Sequence, residues 1–290
     1  MKNTILILIF VYLFTSNGFS QTDSTYLGPS VFYTIGDYSS NESSRSLAFY
    51  NTLQLSKQFY LITAYDNLSI KDEESDYLQQ TFLGGGYLNL FPYTLKFNYG
   101  YYKGDYSYPN YDTTASPGNG NNPNKIDELV STDITHLFNA DFIYYFDWNY
   151  LGGSYTYINQ TEITPLSAHQ LTLRLERILT DELFISVRPN YTITSAGKNL
   201  FSSALKIHYV PIPELTFKVG GFLGERMFYF DSDLLLMFNQ NNIQKYQAFG
   251  QIEIVPTQTW KFTFGYQHTK FDDFSINYFY AGIKANFYIK

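Results

Sequence analysis

Long runs of residues alternate between apolar and polar with a period of two. Tyr93, Leu95, Phe97, Tyr99 and Tyr101 alternate with Pro92, Thr94, Lys96, Asn98 and Gly100. Trp260, Phe262, Phe264 and Tyr266 alternate with Lys261, Thr263, Gly265 and Gln267. Phe279, Ala281, Ile283, Ala285, Phe287 and Ile289 alternate with Tyr280, Gly282, Lys284, Asn286 and Tyr288. Such alternation gives a strand one apolar and one polar face. No long stretch after Gln21 carries the helical period. The residue types agree, because Tyr, Phe, Ile, Leu and Thr suit a pleated surface.

Fourteen strands are expected, at 26–36, 45–55, 58–67, 78–90, 93–103, 134–146, 149–159, 168–178, 182–194, 200–210, 214–223, 244–255, 258–269 and 276–289. Most reach ~10 residues, the length a tilted strand needs to cross a bilayer, against ~5–6 in ordinary globular sheets. Every second connection is tight, as at Ser56-Lys57, Phe91-Pro92, Asp147-Trp148, Thr180-Asp181, Pro211-Ile212-Pro213 and Pro256-Thr257. The alternate connections read as mostly longer and polar: 37–44, 68–77, 104–133, 160–167, 195–199, 224–243 and 270–275. A soluble sandwich has no reason to sort its loops by end. A barrel with short turns on one side and long loops on the other does.

Residues 1–20 have the layout of a cleavable signal peptide. Lys2 precedes a ten-residue apolar run, Ile5 to Phe14, and Gly18 and Ser20 stand before a cut at Gln21. As a helix that run spans ~15 Å, half of a ~30 Å hydrocarbon core. The mature chain is then a single domain, 21–290. The sequence has 29 Tyr, 26 Phe and 2 Trp but only 16% charged residues, which excludes disorder. With no Cys, it has no disulfide framework, no Cys-based zinc site and no Cys nucleophile. The net charge of −7 argues against nucleic acid as a partner.

Taken together, the signal peptide, long alternating strands, sorted loops, aromatic excess and absence of Cys resemble the bacterial outer-membrane β-barrel proteins. The resemblance implies an all-β, antiparallel, up-and-down transmembrane β-barrel of about 14 strands, with 12 or 16 as alternatives. It implies a place in the outer membrane, in contact with its lipid, with both termini periplasmic. Members often end in an aromatic residue, whereas this chain ends Phe287-Tyr288-Ile289-Lys290.

In a barrel the apolar register faces lipid. Leu171, Leu173, Leu175, Leu183, Ile185, Val187, Leu215, Phe217 and Val219 fall on it. The opposite register carries Lys96, Arg174, Glu176, Arg188, Lys206, Lys218, Glu253, Lys261 and Lys284, which are expected to line the lumen. A charge at the lipid midplane costs ~2–4 kcal/mol, so one shared inner face is the economical placement. Seven of these nine are basic. The acids fall in connections instead: Asp72, Glu73, Glu74 and Asp76; Asp127 and Glu128; Asp231 and Asp233; Asp272 and Asp273. Two readings of the basic excess stand side by side. One is an anion-preferring pore. The other is a set of charges paired with each other or with an inward loop.

Two segments stand out as contact surfaces for a protein partner. The first is 104–130, rich in Asn, Gly, Pro, Ser and Asp, which by analogy with general porins folds inward. The second is 224–243, where Met227-Phe228-Tyr229-Phe230 and Leu234-Leu235-Leu236-Met237-Phe238 are too apolar for water. Extension of the flanking strands above the membrane is the expected fate of that segment. Of the four histidines, His208 shares the polar face with Lys206; His136, His169 and His268 have Asp133, Ser167 and Asp272 nearby. None belongs to a recognisable catalytic or metal motif, and no cofactor is expected. The leading functional expectation is a porin-like channel for passive passage of small solutes. A non-conducting structural or partner-binding barrel is the alternative, and a lipid-modifying or proteolytic barrel enzyme comes third.

Overall fold

The computed structural model describes residues 25–72, 75–111, 125–162, 165–238 and 242–289. The expected signal peptide lies outside them. Seventeen strands follow one another without a helix among the described residues. They are β1 (Thr25–Tyr38), β2 (Ser43–Gln54), β3 (Phe59–Lys71), β4 (Asp76–Leu90), β5 (Tyr93–Tyr111), β6 (Lys125–Phe146), β7 (Asn149–Glu162), β8 (Leu166–Thr180) and β9 (Leu183–Thr194). Then come β10 (Asn199–Ile212), β11 (Leu215–Arg226), β12 (Tyr229–Asp231), β13 (Leu236–Phe238), β14 (Gln244–Ile254), β15 (Trp260–Phe271), β16 (Ser275–Ala285) and β17 (Phe287–Ile289).

Each long strand pairs antiparallel with its neighbours in sequence, and β14 pairs with β11. Closure is made by the chain ends: β1 pairs with β16 in the register Val31↔Ile283, and β17 continues that ladder at Leu27↔Phe287. The result is a closed antiparallel barrel of 14 strands, with β12 and β13 forming a separate hairpin. Closure removes every edge, which is what lets a sheet sit in lipid.

The alternation read from the sequence is the alternation between outside and inside. Along β8, Leu171, Leu173 and Leu175 are exposed, while Gln170, Arg174 and Glu176 are buried. Polar in and apolar out is the arrangement of a wall standing in lipid. The outward Leu173, 59% exposed, tests this directly. Leu173→Arg is expected to lower stability by ~2–4 kcal/mol, read in the urea dependence of the compact, heat-shifted band on a gel. The same change at exposed, turn-bound Glu182 is expected to leave that band unmoved.

Strand limits differ from the sequence reading mainly on the long-loop side. There β3 runs to Lys71, β5 to Tyr111, and β6 begins at Lys125. The segment 104–130 is therefore not an inward-folded loop over its described length. Residues 104–111 and 125–130 continue the wall, paired from Gly104↔Asp133 to Tyr111↔Lys125. Above the membrane both strand faces meet water, so the period-two signal fades although the ladder continues. Polar contacts hold it instead: along β5, Lys103 Nζ to Asp105 Oδ2 at 2.8 Å, and across to β6, Thr132 Oγ1 donating to Asp105 Oδ1 at 2.6 Å. Residues 112–124, the middle of that segment, fall outside the described residues.

The tight turns all lie at the end where β1 starts and β17 ends. At Asp147-Trp148 both φ angles are positive, 41° and 66°, which is the left-handed pair that matches the twist of a two-residue hairpin. Asn149 Nδ2 closes it by donating to the Asp147 carbonyl at 2.7 Å.

A candidate functional site inside the lumen

Inward-facing rings lie flat over glycines on the neighbouring strand. Gly265 faces Tyr280, Gly282 faces Phe32, Gly220 faces Phe249 and Gly36 faces Tyr278, each as direct cross-strand partners. A Cβ at Gly265 would stand 2.2 Å from the Tyr280 ring, and one at Gly282 would stand 2.3 Å from Phe32. Missing side chains on one strand thus seat the aromatic rings of the next against the wall.

Into this lumen folds the segment between β11 and β14. Gly224, Phe228 and Leu235 take positive φ values of 102°, 51° and 48°, and these turns send the chain inward. The hairpin pairs Tyr229↔Phe238, Phe230↔Met237 and Asp231↔Leu236. Met227, Phe228, Phe230, Leu235 and Met237 pack on Leu83, Tyr102, Leu137, Ile158 and Leu200 of the wall. The expected strand extension is therefore corrected. These side chains find an apolar surface on the inner wall, toward the loop end. Gln170 holds the hairpin backbone as a strand would, accepting from Phe230 N at 3.0 Å and donating to Phe230 O at 3.1 Å. At its base, Arg226 is sandwiched by the Phe222 and Tyr229 rings, with centroids 3.4 and 4.0 Å away, and donates to Gln244 and Gln247 at 2.7 Å each.

The hairpin tip carries the two acids that the sequence reading placed outside. Lys96 Nζ reaches Asp233 Oδ1 at 2.5 Å, and Arg174 grips both Asp233 oxygens at 2.9 Å. Arg188 also binds Asp233 and lies 3.6 Å from Asp231, and Lys206 Nζ reaches Asp231 Oδ2 at 2.5 Å. Glu176 accepts from Arg188 Nε at 2.9 Å and from Arg174 at 3.1 Å; Asp141 accepts from Ser232 Oγ at 2.8 Å and Arg174 at 3.3 Å. Four cations thus meet four carboxylates. Burial alone would push the Asp233 carboxyl up, but Lys96, Arg174 and Arg188 together hold it well below the usual carboxylate range.

The other four of the nine lumen residues named from sequence sit nearer the tight turns. Glu253 Oε1 accepts from Lys218 at 2.7 Å and lies 3.2 Å from Lys261 Nζ. Lys284 lies over the Tyr26 ring, 5.5 Å from its centroid. The nine lumen residues named from sequence therefore fall into two groups, one tied to the hairpin and one below it. Asp141 and Tyr87, whose Oη donates to Ser232 O at 2.8 Å, belong to the first group and carried no distinguishing sequence signal.

On the outer wall, level with the hairpin tip, lies a groove of about 630 Å³ between Leu95, Phe97, Phe142, Tyr155, Leu171 and Leu173. Its floor reaches Asp141, Ser154 and Thr172, which also border a crevice against Tyr229–Ser232. Here Pro189 offers no N–H, and the β8–β9 ladder steps from Thr172↔Asn190 to Leu175↔Val187. The histidines are placed apart. His136 pairs with Tyr99 Oη at 2.9 Å, His169 with Tyr155 Oη at 2.7 Å and His268 with Asn277 Oδ1 at 2.8 Å, whereas His208 packs on Phe184. Among the described residues no group of three or more His, Asp or Glu is placed to hold a metal ion.

No family model and no curated protein matches the chain. Solved structures do. The CymD monoaromatic hydrocarbon channel is similar at a TM-score of 0.60 and 8% identity, over 92% of this chain and 89% of that one. The toluene transporter TbuX of Ralstonia pickettii is similar at 0.58 and 9%, over 93% and 90%. A Pseudomonas aeruginosa FadL homologue is similar at 0.60 and 9%, over 91% and 90%. With sequence identity this low the likeness lies in the fold, and the chain has the fold of the outer-membrane β-barrel proteins.

Proposed function

We propose that this protein is an outer-membrane channel for small apolar molecules, shut in this conformation by its own residues 227–238. The observation that carries the proposal is the inward hairpin, apolar along its body and ion-locked at its tip. A standing aqueous pore has no use for so apolar an inward hairpin; once displaced, Met227, Phe228, Phe230 and Met237 and the wall they cover offer an apolar solute a surface. Methionine side chains are adaptable, so they conform to solutes of different shape. The outer-wall groove gives the same solute a place where the wall meets lipid. The names of the similar structures, hydrocarbon channels and toluene transporters, support this reading. We place the tight turns and both chain ends on the periplasmic side, as short turns lie in this architecture.

The test is toluene uptake by cells carrying the chain in the outer membrane. Wild type is expected to raise initial uptake several-fold over cells with an empty vector. Gly153→Phe, which fills the groove beside Leu173, is expected to remove most of that gain. The ion-locked hairpin also favours a second reading, a non-conducting barrel that binds a partner through its loops. Uptake no faster than the empty vector would overturn the channel reading in its favour.

A further inference from the structure

The inner charges are not balanced evenly along the barrel. Around the hairpin tip, Lys96, Arg174, Arg188 and Lys206 are matched by Asp141, Glu176, Asp231 and Asp233. Toward the tight turns, among the described residues, Lys218 and Lys261 share Glu253 alone, and Lys284 joins them without a carboxylate of its own. One oxygen of that carboxylate serves three donors: Lys218 at 2.7 Å, Gln251 Nε2 at 2.8 Å and Lys261 at 3.2 Å. Lys284 has no carboxylate within 4 Å among the described residues; its neighbour is the Tyr26 ring. Yet Lys261 and Lys284 are direct cross-strand partners, where like charges repel. Each ammonium carries three N–H donors and no acceptor, so this group holds more donors than the protein satisfies. The lysines are reached by water, with the Lys218 and Lys261 side chains 23% and 28% exposed.

Aromatic surface adjoins these donors. Tyr26 lies against Lys284, with its Oη donating to Asn286 at 2.5 Å. Tyr280 donates to Gln251 at 3.0 Å, and its ring covers Gly265 on the adjacent strand. Focused between low-dielectric walls, uncompensated positive charge draws in anions more strongly than the same charge on an open surface.

From this placement we infer that the tight-turn end of the lumen is a binding site for the carboxylate of a small aromatic solute. The carboxylate lies between Lys261 and Lys284, and the ring rests on Tyr26. The site needs access only from the tight-turn side, so it stands apart from the channel reading.

The experiment is calorimetric titration of the full chain in detergent with benzoate, acetate and inorganic phosphate in turn. Benzoate is expected to bind saturably, more tightly than acetate or phosphate, and more weakly at high salt. Lys261→Gln and Lys284→Gln are each expected to weaken benzoate at least tenfold. Lys284→Arg is expected to retain most of the affinity. Glu253→Gln is expected to bind benzoate several-fold more tightly, because it removes the competing carboxylate; a structural role alone gives no such gain. Lys103→Gln, on the far extension of β5, is expected to match wild type. A heat-shifted band on a gel verifies that each variant has closed. No saturable benzoate binding, binding of phosphate in preference to benzoate, or unchanged affinity in Lys284→Gln would each overturn the proposal. Toluene uptake by Lys284→Gln cells is expected to equal wild type, so failure here and failure of the channel reading are told apart.

Discussion

Replacing Asp233 with Ala is expected to convert a quiet barrel into a conducting one. In planar bilayers the wild-type chain should show rare, small openings, and Asp233→Ala should conduct for most of the recording. Asp233 is the anion on which Lys96, Arg174 and Arg188 converge. Its removal leaves three cations near one another with too few partners. Stripping one member from a buried ion network costs about 3–5 kcal/mol, mostly as uncompensated charge. The β12–β13 ladder lies within the hairpin and does not dock it, so this cost is set against the apolar contacts of Met227, Phe228, Phe230, Leu235 and Met237 with the wall. Asp233→Asn should show the same sign with smaller amplitude, since it keeps hydrogen-bonding capacity. Acid should mimic the substitution. A carboxyl whose folded pKa is depressed contributes stability at pH values above its unfolded pKa and loses it as pH falls through the folded value. Closure should therefore hold from pH 5 to pH 9 and fail only well below the ordinary carboxylate range, about pH 4. An Asp233→Ala chain as silent as wild type would mean that the apolar body of the hairpin suffices to keep it in place.

Gly221→Val is expected to abolish barrel closure. A Cβ there would stand 1.9 Å from the Gln247 carbonyl oxygen, a backbone atom that no rotamer can move. The two strands would have to part at the β11–β14 seam, where Gly221 pairs with Ala248. Overpacking typically costs 1–3 kcal/mol when side chains absorb it; a rigid carbonyl should raise this to about 3 kcal/mol or more, and the open seam then leaves unpaired backbone in lipid. Gly250 is the matched control, since nothing lies within 4 Å of its missing Cβ. Gly250→Val should refold to the compact, heat-shifted band, and Gly221→Val should not. Equal refolding of the two would refute the argument.

Much of the wall was legible because lipid and water sort side chains by alternation. Leu171, Leu173 and Leu175 against Gln170, Arg174 and Glu176 need no further information. The hairpin was legible only as an anomaly. Leu234-Leu235-Leu236-Met237-Phe238 reads alike whether it faces acyl chains or an inner wall, because apolar side chains carry no sign of which apolar surface they will meet. The signal that separates the two is charge. Asp231 and Asp233 sit two apart amid apolar residues, while the inner charges named from the sequence are basic by seven to two. Acids embedded in an apolar segment are costly unless cations await them. The extensions of β5 and β6 were hidden for the opposite reason: with water on both faces, no face needs to differ.

The hairpin is tied to the wall at both ends, by Arg226 of β11 and by Gln244 of β14, which are themselves paired. A tether this short confines a displaced hairpin to the neighbourhood of its dock, at an effective concentration in the millimolar range. Recapture is then a unimolecular step, fast and independent of how much protein the membrane holds. Openings should accordingly come as brief flickers, each admitting few solutes before the leash pulls the door to.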